Sequence, residues 1–281
     1  MKQHELPAEA GPIGVFDSGY GGLTILEKIQ QQLPEYDYIY LGDNARTPYG
    51  TRSFDVVYKY TLECVIKLFE MGCHLIILAC NTASAKALRS IQQRDLPVLD
   101  PERRVLGVIR PTVEAIGSLT HSRHVGLLAT SGTVQSQSYP LEIRKLYKDI
   151  VVTAEACPMW VPLIENNEHN SEGADYFVHK NLNELLATDP DIDTIMLGCT
   201  HYPLLIDKIR QNIPSGIQVI SQGELIAASL ADYLKRHPEI DLKCTKNKST
   251  RYYTTESTEK FTTSASIFLK ENIHAEHIDP E

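Results

Sequence analysis

Leu75-Ile76-Ile77-Leu78-Ala79-Cys80-Asn81-Thr82 decides the fold class: a continuous apolar run that stops at a small turn of thiol, amide and hydroxyl residues. A run apolar on both faces is what a parallel strand covered by helices requires. Similar runs stand at 13–16, 38–41, 125–129, 150–154, 194–198 and 217–220. Between them, Leu26, Ile29 and Leu33, then Phe54, Tyr58, Thr61, Val65 and Leu68, recur at helical spacing, which predicts helices with one buried stripe. The alternation makes the chain α/β with mostly parallel sheets.

Working outward, the same stretch returns. Thr194-Ile195-Met196-Leu197-Gly198-Cys199-Thr200 echoes it 119 residues later, measured from cysteine to cysteine. Ile13-Gly14-Val15-Phe16-Asp17-Ser18-Gly19 is echoed at a 112-residue offset by Val125-Gly126-Leu127-Leu128-Ala129-Thr130-Ser131-Gly132. Two pairs at nearly equal offsets point to two similar α/β halves related by pseudo-symmetry. The length of 281 residues agrees, since domains run to roughly 150 residues. A boundary is expected near 106–111, with a helix beginning after Pro111. The tail after Asp241 carries Tyr252-Tyr253 and Ile267-Phe268-Leu269, apolar enough to pack as folded structure.

Composition removes several functions. A net charge of −9, with no Lys/Arg-rich run, argues against nucleic acid as a partner. No apolar stretch approaches the roughly 18 residues of a membrane span, and the first ten residues lack a secretory pattern, so the cytoplasm is expected and no membrane partner. The six cysteines, at 64, 73, 80, 157, 199 and 244, form no CxxC pair and are expected to be free thiols.

In open parallel sheets ligands bind beyond the carboxyl ends of the strands, where all four echoed turns fall. Asp17-Ser18-Gly19-Tyr20-Gly21-Gly22 suits a carboxylate or phosphate, or is a plain turn. Cys80 is followed by Asn81, Thr82 and Ser84, and Cys199 by Thr200, all able to hydrogen-bond a ligand. A thiolate facing a thiol across a small molecule can take a proton from one face of a tetrahedral carbon and return it to the other. Three other readings stand beside this one. Both cysteines are core residues; or they bind zinc with His201; or Cys199 and His201 are nucleophile and base of a hydrolase. Asp17, Glu165 and His201 are candidates to tune the thiols or receive an ammonium group. The segment from Asp43 to Gly50 is turn chemistry that suits a binding loop equally.

Phe16-Asp17-Ser18-Gly19-Tyr20-Gly21-Gly22-Leu23, Pro48-Tyr49-Gly50, Ala79-Cys80-Asn81-Thr82-Ala83-Ser84, Thr130-Ser131-Gly132-Thr133-Val134 and Gly198-Cys199-Thr200-His201-Tyr202-Pro203 together resemble the glutamate racemases of the aspartate/glutamate racemase family. The resemblance implies two α/β domains with the active site between them, no metal and no cofactor such as pyridoxal phosphate. It implies that Cys80 exchanges the proton with D-glutamate and Cys199 with L-glutamate, with Asp17, Glu165 and His201 as auxiliary acid-base groups. Asp17, Ser18, Tyr49, Gly50, Asn81, Thr82, Thr130, Thr133, Thr200 and His201 match positions lining the family's substrate pocket. It further implies a first domain of 1–107 plus 218–281 around a second of 108–217, a homodimer, D-glutamate supplied to peptidoglycan, and, as in some relatives, a UDP-sugar precursor as activator. The rival functions are racemisation of aspartate or another small acid, and a non-catalytic role as a gyrase-binding partner. One departure is Ser221-Gln222-Gly223, where an Asp-containing turn is expected.

Overall fold

The computed structural model describes residues 6–269 and 273–280; residues 1–5 of the polar amino-terminal stretch lie outside the described residues. Two all-parallel sheets are present. The first contains β1 (Ile13–Asp17), β2 (Tyr38–Gly42), β3 (Leu75–Leu78) and β4 (Arg104–Gly107); the second contains β5 (His124–Ala129), β6 (Val151–Ala156), β7 (Thr194–Gly198) and β8 (Gln218–Ile220). β9 (Thr250–Thr254) and β10 (Ala275–His277) extend the first sheet beyond β2, giving the order β10-β9-β2-β1-β3-β4. The second sheet runs β6-β5-β7-β8. Strip the two added strands and both sheets show the same order, so the repeat in the sequence is a repeat of topology.

The apolar runs become the central strands because they are buried on both faces. Every residue of β1, β2, β3 and β7 is buried. Two expectations need correction. The helix of the boundary segment spans Ile109–Leu119, so Pro111 sits in its first turn rather than before it. Gln218, expected to open the return to the first domain, instead begins β8 and pairs with Thr194 in the second sheet. The chain returns only with the helix Gly223–Arg236, which packs along Leu23–Gln32. Three residues at a sheet edge carry too little pattern to reveal which sheet they join. The tail does pack: Tyr252, Tyr253, Phe268 and Leu269 are buried. Among the described residues no helix is long and apolar enough to cross a membrane.

Two carboxylates tie loops to the sheets. Asp37 accepts from the backbone of Asn247 and Ser249 at 3.1 and 2.9 Å and from their side chains at 2.6 Å each, clasping the tail to the start of β2. Asp193 accepts from Thr120, His121 and Ser122 at 2.7, 2.6 and 2.6 Å. Burial pushes both acids up, but these donors outweigh it and hold both well below the usual carboxylate range. A lowered native pKa gives stability that is present above the unfolded value of about 3.9 and lost as pH falls through the native one. Asp193→Asn is therefore expected to lower the melting temperature at pH 7, with the gap from the wild type closing below about pH 4. Melts recorded across that range check it, and a gap that stays constant contradicts it.

Candidate active site

The turns after β1, β2, β3, β5, β6 and β7 converge on one cavity of about 70 Å³. Its wall includes Ser18, Tyr49, Gly50, Cys80, Asn81 and Thr82 from the first sheet's loops, and Thr130, Cys199, Thr200 and His201 from the second's. Both sulfurs thus reach one cavity from equivalent strand ends, β3 and β7 holding the same place in their sheets.

Local chemistry explains each position. Cys80 leaves β3 and caps the helix Asn81–Lys86: its Sγ accepts the Ala83 N–H at 3.4 Å, with the Ser18 hydroxyl also at 3.4 Å. Thr130 plays the same part after β5, its hydroxyl accepting the Thr133 N–H at 3.3 Å. Hydroxyls bridge the two lobes, with Thr82 at 3.0 Å from Thr130 and 3.3 Å from Thr133, and Thr24 donating to the Thr200 carbonyl at 3.1 Å. These contacts hold the two lobes together across the cleft.

Each sulfur has a titratable neighbour. His201 Nδ1 lies 3.8 Å from Cys199 Sγ, and its Nε2 lies 3.0 Å from Glu165. Burial works against a charge on His201, yet the Cys199 sulfur and the Glu165 carboxylate outweigh it and raise the ring to about 10, so it holds its proton at neutral pH. On the other side burial, reinforced by the Asp17 charge and opposed by Ser18 and the Ala83 N–H, pushes Cys80 up to about 12. It rests as a thiol. Asp17 is fully buried and raised by that burial, against His201 and the Gly19 and Gly22 amides, which lower it. Its Oδ2 accepts the Gly19 N–H at 2.9 Å, while Oδ1 has no partner among the described residues.

The structure sorts the expected residues into two layers. Ser18, Tyr49, Gly50, Asn81, Thr82, Thr130, Thr200 and His201 line the wall with both cysteines. Asp17, Thr133 and Glu165 stand behind it, against Gly19, Thr130 and His201 respectively. Ser84 turns away altogether, donating to the Leu78 carbonyl at 2.9 Å and accepting the Val108 N–H at 3.3 Å. Sequence reasoning missed Cys157, Val161 and Pro162 on the wall, although Cys157 follows β6 and the strand-end rule reaches it. Among the described residues the wall carries no Lys or Arg.

This geometry separates the competing readings. Both cysteines are buried, but on a cavity rather than wholly among aliphatic neighbours. The cysteine-and-histidine atoms do not gather as metal ligands; the one such cluster among the described residues is His124, Asp189 and Asp191, around the opposite end of β5. A nucleophile-base pair of Cys199 and His201 leaves Cys80 on the facing wall unexplained.

A family model described as Asp/Glu/Hydantoin racemase matches residues 13–230. A glutamate racemase from Ruegeria sp. is 39% identical over 271 residues, 93% of this chain and 97% of that protein. Among solved structures, glutamate racemase from Francisella tularensis in complex with D-glutamate superposes with a TM-score of 0.84 at 31% identity, covering 97% of this chain and 98% of that one. The Escherichia coli enzyme in complex with L-glutamate and the activator UDP-MurNAc-Ala gives 0.74 at 27% identity, covering 96% and 97%.

Proposed function

Given that the chain belongs to the Asp/Glu/hydantoin racemase family, we propose that it interconverts L- and D-glutamate with Cys80 and Cys199 as the two proton-transfer groups. The observation that carries this reading is the placement of two cysteines, from equivalent strands of two sheets, on one cavity.

With L-glutamate, the two-base reaction requires Cys199 to take the α-proton as a thiolate, with protonated His201 beside it as counter-charge. The electron pair left on Cα spreads into the α-carboxylate. Cys80, held as a thiol by burial, then gives its proton to the opposite face. One proton is removed and one supplied, so the charge of the site is unchanged while the sulfurs exchange roles; D-glutamate runs the cycle backwards. With no Lys or Arg on the wall among the described residues, the carboxylates are held by hydroxyls such as Ser18, Thr82, Thr130 and Thr200, and displacing water from the cleft strengthens each contact. Asp17, buried behind the wall, acts through its charge on Cys80 rather than on the substrate itself. Glu165 acts through His201 as a positioning residue.

The reading extends to a cytoplasmic homodimer that supplies D-glutamate to peptidoglycan and responds to a UDP-sugar precursor, as the Escherichia coli activator suggests. Light scattering, and assays with the precursor added, decide those two points. The reaction itself is tested in heavy water: L-glutamate is expected to give D-glutamate carrying solvent deuterium at Cα, with aspartate turned over far more slowly. Product without deuterium, or a preference for aspartate, overturns the proposal; binding to gyrase with no racemisation at all would favour the non-catalytic role.

A further inference from the structure

Gln222 stands in the turn that departs from the expected Asp-containing pattern, and it is only 3% exposed. Its Nε2 donates to the Thr112 hydroxyl at 2.8 Å and to the Tyr139 hydroxyl at 2.5 Å, while its Oε1 accepts from Asn81 Nδ2 at 2.7 Å. Tyr139 closes the ring by donating to Asn81 Oδ1 at 2.6 Å. One proton order satisfies every member of the ring as the amides are oriented. In it Thr112 donates to the Val108 carbonyl at 2.9 Å and accepts from Gln222. That turns the Gln222 oxygen toward Asn81, fixes the Asn81 amide, and leaves the Asn81 oxygen to the tyrosine.

The ring also marks a particular place. The chain passes between the sheets after β4 and after β8; Thr112 lies on the helix that follows the first crossing, and Gln222 lies within the second. Tyr139 belongs to the helix Ser138–Leu146 of the second lobe, and Asn81 directly follows Cys80. Gln222 therefore joins both crossings and the second lobe, by hydrogen bonds, to the residue that follows Cys80. The hydrogen-bonding neighbour of Cys199 is instead His201, itself held by Glu165, and of the ring only the Tyr139 hydroxyl lies within electrostatic reach of that sulfur.

We propose that Gln222 is a positioning residue for the Cys80 half of the reaction: through Asn81 it sets Cys80 against the substrate when the lobes are closed. The proposal rests on the two-thiol reading and predicts an asymmetry that general damage would not produce. In Gln222→Met, kcat/KM should fall roughly tenfold, the scale of a small misplacement at a reacting group. Proton transfer at Cys80 then limits the rate more strongly. The primary isotope effect with D-glutamate deuterated at Cα should rise, and that with L-glutamate deuterated at Cα should fall toward unity. Tyr139→Phe, which removes the donor to Asn81 while leaving Gln222 in place, should shift both in the same sense and keeps the test open if Gln222→Met does not fold. Isotope effects that stay as in the wild type, or move together, overturn the proposal. Failure of the two-thiol reading shows separately, as racemisation that survives in Cys80→Ala.

Discussion

Cys80→Ala and Cys199→Ala should each lose racemisation by on the order of 10³-fold, within the range expected for removing an acid or base from a proton transfer. The loss should be incomplete in an informative way. On the proposed two-thiol reading, removing Cys80 leaves Cys199 to withdraw and return a proton on its own side of Cα. In heavy water, Cys80→Ala should therefore let deuterium into L-glutamate while D-glutamate stays protonated, and Cys199→Ala should show the reverse. Neither variant should unfold, because each deletes a single sulfur that borders a cavity on one side. Cys73, fully buried and not part of the cavity wall, serves as the control. Cys73→Ala should cost stability through lost packing and leave turnover intact. Retained turnover in Cys80→Ala ends the two-base mechanism, and equal exchange of both enantiomers in either variant contradicts the assignment of one sulfur to each face.

What the sequence revealed, and what it concealed, follows from where the information sits. β1, β2, β3, β5 and β7 are legible because central strands of parallel sheets are apolar on both faces, and the strand-end rule then places Cys80, Cys199, Ser18 and Thr130 together. β10 is Ala275-Glu276-His277 and has no apolar run of its own; it exists because β9 offers it an edge. β9 in turn depends on β2, through pairings such as Tyr40 with Tyr252 that span most of the chain. The turn 100–104 hides Arg103, a fully buried cation that donates to the carbonyls of Phe69 and Cys73 at 2.8 and 2.6 Å. Charge alone places such a residue on the surface, and only its partners explain the burial. Gln222 is concealed in the same way, since three elements distant in sequence must meet before its amide has a purpose.

Gly21→Ala should lose kcat/KM by roughly 100-fold while the protein remains folded. The reason is close approach rather than backbone freedom. A Cβ at Gly21 would stand 2.3 Å from Thr200 Oγ1 and 2.5 Å from His201 Nδ1, on the facing lobe. Neither neighbour is the loose end of a flexible chain. Thr200 follows Cys199, and its carbonyl receives the Thr24 hydroxyl, while His201 is held by Glu165 at 3.0 Å. The Gly21 loop is equally fixed, its carbonyl accepting the Thr24 N–H at 3.0 Å. An added methyl must therefore wedge the lobes apart or swing His201 away from Cys199. Either change spoils the alignment of the two sulfurs, and the strands beneath are untouched. Gly216 supplies the contrast: its φ of +105° strains any side chain, yet a Cβ there meets nothing within 4 Å. Gly216→Ala should cost about 1 kcal/mol or more of stability and leave kcat/KM unchanged. Thermal melts and steady-state kinetics on the two variants should thus give opposite patterns. A fully active Gly21→Ala enzyme would mean that the catalytic cleft does not close as tightly as the contacts between Gly21 and Thr200 require.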